Sequence, residues 1–327
     1  MRFFLPVVFT AFASMPAYSG LAPSDGFSGN FSILAGSYSD SSNLSTEQDS
    51  IQANNTKEGS SENQGLLGFL GTVQYTFGES LNHQVYTGTT REDIATGTIA
   101  FEIGYRHQFS GGTIIDFSVL PTFISGKAWA DPYAVGVNRN ETDLKGNVGR
   151  LQLTSVGGTG FHADFAIGES DVDDELSGTQ NLSAQDAALL DRERTYLYAK
   201  AGYRFILPDQ VGLLVPSMVY FSSDAKGDAI SFDSYGVELN YAKRMGRHGF
   251  VVTLDAHDRQ YDEVNPLYGK MRKENEYGAF LAYELSGFMG YDGWSFITLL
   301  GLRTIDSNID FYNSEQVLAS VGIDYKF

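Results

Sequence analysis

The chain ends on "EQVLASVGIDYKF" (315–327), and its last residues alternate without a slip. Val317, Ala319, Val321, Ile323, Tyr325 and Phe327 share one parity, while Leu318, Ser320, Gly322, Asp324 and Lys326 share the other. A period of two marks a strand with two unlike faces. Chain termini usually fray in polar residues. This one stays two-faced to an aromatic last residue, so the strand needs neighbours along its whole length.

The same alternation recurs upstream. In "TIAFEIGYRHQF" (98–109), Ile99, Phe101, Ile103, Tyr105 and Phe109 share one face, and Glu102, Arg106 and Gln108 the other. In "SYGVELNYAKR" (234–244), Tyr235, Val237, Leu239 and Tyr241 oppose Glu238, Asn240 and Arg244. No segment shows helical periodicity over several turns. Fourteen two-faced segments stand out, at 27–38, 65–77, 83–89, 95–109, 113–125, 146–156, 161–168, 193–206, 211–222, 231–244, 250–258, 274–286, 293–303 and 316–327. Twelve is the alternative count, because 83–89 and 161–168 are the weakest. Most approach the nine to eleven residues with which a tilted strand crosses a bilayer.

The connections sort by length. "GESLN" (78–82), "SGG" (110–112), "GGTG" (157–160), "LPDQ" (207–210), "MGRHG" (245–249) and 287–292 are short. Those at 39–64, 126–145, 169–192, 223–230, 259–273 and 304–315 are long and polar, and only "TREDI" (90–94) breaks the order. Short turns on one rim and long loops on the other, with an even strand number, describe a single transmembrane antiparallel up-and-down β-barrel with both termini in the periplasm. Phe77, Phe109, Phe161, Phe205, Tyr241, Phe250 and Trp294 flank the short turns, where rings favour the membrane interface.

Composition agrees. The 327 residues hold 36 Gly, 19 Tyr, 23 Phe and no Cys, so no disulfide framework supports the strands. Forty acids against 22 Lys plus Arg give a net charge of −18, which argues against nucleic acid as a partner, because binding a phosphate backbone requires clustered cations. "MRFFLPVVFTAFASMPAYS" (1–19) has a basic second residue, an apolar run too short to span a membrane, and small residues at Ala17 and Ser19. It reads as a secretory signal peptide, leaving 20–327 as one barrel domain.

Alternation assigns the lumen face. The expected lumen-lining residues are Glu102, Arg106, Asp116, Arg150, Asp164, Arg204, Glu238, Asp255, His257 and Arg303. Matching Phe109 with Thr113 across "SGG" sets Arg106 opposite Asp116; matching Met245 with Phe250 across "MGRHG" sets Glu238 opposite His257. Leu214, Pro216, Met218, Tyr220, Tyr196, Tyr198, Phe280, Ile297, Leu299 and Leu318 read as an apolar inward sector, lining a path for hydrophobic solutes or packing on an infolded loop. The acidity collects in loops 39–64, 169–192 and 304–315, densest in "ESDVDDE" (169–175). That run lacks the ligand spacing of an EF-hand and reads as a solvated loop, with cation attraction as the alternative.

Catalytic patterns are thin. His257 beside Asp255 is the best candidate base but reads first as an ion-paired wall residue; His162 and Asp164 make a weak metal pair without a third ligand. No nucleophile-elbow, zinc-protease, phosphate-loop or dinucleotide motif occurs.

The stretches "DGFSGNFSILAGSYSDSSNL" (25–44), "NEYGAFLAYELSGFMGYDGWSF" (275–296) and "SVGIDYKF" (320–327) resemble a family of Gram-negative outer-membrane barrels catalogued as domain of unknown function 2860, over essentially the whole mature chain. The resemblance implies an outer-membrane location and brings no catalytic or ligand residues. The terminal Tyr325 and Phe327 also resemble the pattern by which such barrels are recognised for insertion. The expected partners are therefore outer-membrane lipid, the barrel assembly machinery and small solutes, with no cofactor. The expected function is a porin-type channel passing or binding small hydrophilic solutes. A closed barrel serving as an adhesion platform, or a transporter of hydrophobic solutes, is the alternative.

Overall fold

The computed structural model describes residues 21–22, 24–89, 101–121, 126–208 and 212–327. The expected signal peptide, the "TREDI" connection, the start of segment 95–109, the end of 113–125 and part of "LPDQ" lie outside the described residues.

Strands run β1 (Gly26–Asp40), β2 (Glu62–Phe77), β3 (His83–Gly88), β4 (Glu102–Gln108), β5 (Ile114–Pro121), β6 (Gly126–Trp129), β7 (Glu141–Thr154) and β8 (Phe161–Val172). They continue as β9 (Arg194–Tyr203), β10 (Phe205–Ile206), β11 (Gly212–Ala225), β12 (Phe232–Met245), β13 (His248–Asn265), β14 (Lys270–Ser286), β15 (Trp294–Ser307) and β16 (Ser314–Lys326). β5 and β6 pair with successive lengths of β7 and share one place in the sheet. β9 and β10 both pair with β11 and share another. Fourteen places result. β16 pairs with β1 from Asn30↔Lys326 to Asp40↔Gln316, and the cylinder closes. Closure is what lipid demands, because an open edge would leave backbone groups unpaired in hydrocarbon. With strands about 4.8 Å apart and tilted by about 40°, fourteen make a cylinder about 28 Å across at the backbone.

Burial follows the alternation. Phe31, Ile33, Ile103, Phe117, Val119, Val321 and Ile323 stand exposed on the outer face, while Asn30, Ser32, Glu102, Asp116, Ser320 and Asp324 between them are buried inside. At the short-turn rim, rings touch ring to ring: Phe27 with Tyr75 (centroids 4.8 Å), Phe161 with Tyr203 (4.8 Å), Tyr241 with Phe250 (5.9 Å) and Trp294 with Tyr325 (4.9 Å). This is the aromatic girdle at the periplasmic interface.

The opposite rim differs from expectation. β13 and β14 are 18 and 17 residues long and joined only by 266–269, so the expected loop 259–273 is a hairpin projecting beyond the membrane. Period two continues through Arg259, Tyr261, Arg272 and Glu274, and charge alone had disguised it as loop. The acidic loop between β8 and β9 is likewise built rather than merely solvated. It carries α1 (Ala184–Ala188), capped by Ser183, and buries Leu190 completely.

Candidate functional site: the lumen wall and its cap

Inward side chains form three groups along the wall. In the first, Arg150 (β7) holds two carboxylates at once: Nη1 donates to Glu102 on β4 (3.1 Å), while Nε and Nη2 donate to Asp164 on β8 (3.0 and 2.8 Å). Arg106 donates to Asp116 (2.6 Å) and to Gln84 (3.2 Å), and the Tyr86 hydroxyl donates to Asp116 (2.9 Å).

The second group spans β9 and β12 to β15. Arg303 meets Asp255 (3.4 Å) and Glu276, and Arg259 meets Glu274 (2.9 Å) and Glu276. Arg272 donates to Glu274 (2.5 Å), His257 Nε2 lies 3.5 Å from Asp255, and Lys200 pairs with Glu238 (3.3 Å). The third group sits at the periplasmic end, where Lys326 (2.7 Å) and Arg244 (3.4 Å) converge on Glu284.

Glycines on the wall let these side chains lie flat. A Cβ on Gly236 would fall 2.0 Å from the His257 ring, one on Gly278 would fall 2.2 Å from the Asp255 carboxylate, and one on Gly104 would fall 2.4 Å from the Tyr86 ring. His257, Asp255 and Tyr86 therefore each lie against the backbone of a neighbouring glycine. Pairing is compulsory here. Charges this buried are tolerated only with an opposite charge and hydrogen bonds beside them.

Nine of the ten expected lumen residues thus enter these groups. The tenth, Arg204, sits at the break between β9 and β10 near the periplasmic rim, its backbone N–H donating to Gly160 (2.9 Å). Arg106 does oppose Asp116. The other inferred register shifts by two: Met245 opposes His248 across a two-residue turn with Gly246 left-handed (φ 60°), so Glu238 faces Asp255 and Gly236 faces His257. His162 and Asp164 do not converge, since His162 meets Ser217 (3.2 Å) and Asp164 meets Arg150. Sequence reasoning passed over Arg259, Arg272, Glu274 and Glu276, whose alternation with Tyr261 was the available signal.

The apolar sector is real but partly elsewhere. Leu34, Leu70, Ile297 and Leu299 pack inside with Phe280 and Ala282. Leu214, Pro216, Met218 and Tyr220, in contrast, face outward, Met218 being 75% exposed; Leu213, Val215 and Val219 are the inward residues of β11. This strand is apolar on both faces, so only its pairing with β12 fixes the parity. A hydrophobic path along Leu214 and Met218 therefore does not exist in the lumen.

At the extracellular mouth the loops share one core of Tyr133, Leu190, Ala225, Ala229, Ile230, Ile309, Phe311 and Tyr312. Loop 130–140 and loop 308–313 come from nearly opposite sides of the ring and meet through the Tyr133 and Tyr312 hydroxyls (2.9 Å). Asn265 donates to the Tyr312 hydroxyl (2.9 Å), and the Arg272 guanidinium packs on the rings of Tyr312 (3.4 Å) and Tyr261 (4.3 Å), which ties cap to wall. Arg139 stacks on Trp129 (4.2 Å) and donates to the carbonyls of Asn43 (3.1 Å) and Asp49 (2.6 Å), binding loop 41–61 to its neighbour. Burial lowers the Arg139 guanidinium to about 10. Burial likewise raises the phenols of Tyr133, Tyr268 and Tyr312 above the usual range. Among the described residues, no three His, Asp or Glu side chains converge to hold a metal ion.

A closed fourteen-strand antiparallel barrel, apolar outside and polar inside, with a girdle at the short-turn rim, defines a β-barrel of the outer-membrane type. The chain belongs to the family described as protein of unknown function DUF2860, whose model matches residues 26–326. Among solved structures it is similar to a loop-deletion form of OmpT, an outer membrane protein of Vibrio cholerae (10% identity, 93% of this chain, 100% of that one, TM-score 0.43). It is also similar to the outer membrane channel DcaP of Acinetobacter baumannii (8%, 95% and 100%, 0.43) and to an anion-selective porin from Comamonas acidovorans (9%, 92% and 100%, 0.41). No curated protein matches the chain.

Proposed function

We propose that the protein is a porin-type channel, not an enzyme, through which small hydrophilic solutes pass passively, and that its loop cap governs access. The observation that carries this reading is the wall itself. Its acids and bases pair with one another between strands of the same wall, which supports a polar interior without net charge. Interiors of eight-strand barrels are filled by side chains, and fourteen strands enclose a wider bore. Glu102, Arg106, Asp116, Arg150, Asp164, Arg204, Glu238, Asp255, His257 and Arg303 are the proposed lining, an alternation of acids and bases whose transverse field orders water and sorts solutes by charge and dipole. Planar-bilayer recording tests it. Discrete conductance steps from folded protein are expected, and no conductance, even after the cap is loosened by substitution, overturns it.

A further inference from the structure

We propose that the periplasmic rim carries a binding site for a divalent transition-metal cation, formed by His83, His107 and Tyr105 on the outer face of β3 and β4. His83 and His107 are direct cross-strand partners. Their Nδ1 atoms lie 3.2 Å apart, and the Tyr105 hydroxyl lies 2.6 Å from the same Nδ1 of His83. The His83 Nδ1 thus has two further ligand-type atoms, an imidazole nitrogen and a phenol oxygen, within 3.2 Å.

Hydrogen bonding alone does not satisfy both contacts. An imidazole nitrogen has a single in-plane site, either one proton or one lone pair. The His83 Nδ1 faces two partners and can meet only one of them along its in-plane direction. A cation resolves the mismatch by accepting a lone pair from each ring. The spacing fits: two nitrogens bound at about 2.0–2.1 Å and separated by this distance subtend about 100° at the metal, close to the tetrahedral value. Imidazole suits zinc, copper and nickel, whereas magnesium and calcium prefer oxygen ligands.

Position supports access. His83 opens β3 immediately after turn 78–82, and His107 lies one residue from the end of β4, so the pair sits at the periplasmic edge of the barrel beside the girdle rings Phe77 and Phe109. β3 and β4 are the shortest full strands of the described barrel, at 6 and 7 residues, and a metal there clips them together. The same rim supplies a control. His248 Nδ1 meets the Tyr283 hydroxyl at 2.8 Å, reproducing the His–Tyr contact without a second histidine partner.

The test uses the full chain, folded in detergent and purified without a polyhistidine tag, titrated calorimetrically with zinc, copper(II) and magnesium. One zinc or copper site per chain and no magnesium binding are expected. His83→Ala and His107→Ala should each weaken binding at least about tenfold, because each removes a ligand, while His248→Ala leaves it unchanged. Copper(II) electron paramagnetic resonance should report two nitrogen ligands in the parent chain and fewer in either variant. Should an alanine variant fail to fold, shown by loss of the compact electrophoretic band, His83→Gln and His107→Gln replace it. Binding that persists in both His83 and His107 variants, or that falls equally in His248→Ala, overturns the proposal.

Discussion

Arg150 is the residue on which the β4 to β8 wall depends. Its guanidinium serves Glu102 and Asp164 together, and its partners expose 0% of their surface. Replacing such a group by a hydrophobe as a single change strands two buried carboxylates, at about 3–5 kcal/mol. Arg150→Met should therefore lower the guanidinium unfolding midpoint of the detergent-folded barrel markedly. Adding Glu102→Gln and Asp164→Asn to it should restore most of the loss. An unchanged midpoint in the single variant would mean that water reaches the cluster. A second residue acts at the seam. Phe327 and Gly29 exchange both backbone hydrogen bonds (3.0 and 3.1 Å), so the last residue is part of the closure. If Tyr325 and Phe327 are also the insertion signal, deleting Phe327 should reduce folded barrel in outer-membrane fractions while leaving refolding in detergent nearly intact, and equal loss in both settings would assign the effect to the seam alone.

At the element scale, the cap is held by a few contacts that reach from loop to wall. Arg272 is the clearest, lying on the Tyr312 and Tyr261 rings while bonded to Glu274. Arg272→Ala should free loop 308–313 and raise the mean single-channel conductance or open probability severalfold, because cation–aromatic contacts in desolvated sites contribute about 2 kcal/mol. Alkaline pH should act on the same elements. The phenols of Tyr133, Tyr268 and Tyr312 have folded values raised above their unfolded one. Their contribution is thus complete below the unfolded phenol value, about pH 10, and is lost as pH rises from there. Channel activity should increase reversibly in that window before the sheet melts, with Tyr133→Phe displacing the onset. Legibility divides along the same line. Strands and turns were readable because period two and short turns are local signals, and the same period assigned most of the paired charges to the inward face. The cap was not, since Tyr133, Leu190 and Phe311 are far apart in sequence and meet only once the cylinder brings their loops to one mouth. β11 was misread for a different reason, being apolar on both faces.

For the whole molecule, the decisive quantity is where the charge sits. The wall networks pair Glu102, Asp116, Asp164, Glu238, Asp255, Glu274, Glu276 and Glu284 with Arg106, Arg150, Lys200, Arg244, Arg259, Arg272, Arg303 and Lys326, equal in number. The net −18 therefore lies outside them, largely on the extracellular loops and the projecting strand ends. A neutral wall gives little intrinsic preference between cations and anions. An acidic mouth concentrates cations near it, over a distance set by the Debye length, about 10 Å at 0.1 M and about 3 Å at 1 M salt. Reversal potentials under a potassium chloride gradient should consequently show cation preference at low ionic strength that fades towards none near 1 M. A preference that persists at high salt would place the selecting charge inside the lumen, where screening is weak. Neutralising Asp173, Asp174 and Glu175 together should then leave it untouched, whereas the mouth-controlled channel would lose part of its low-salt preference with the same substitutions.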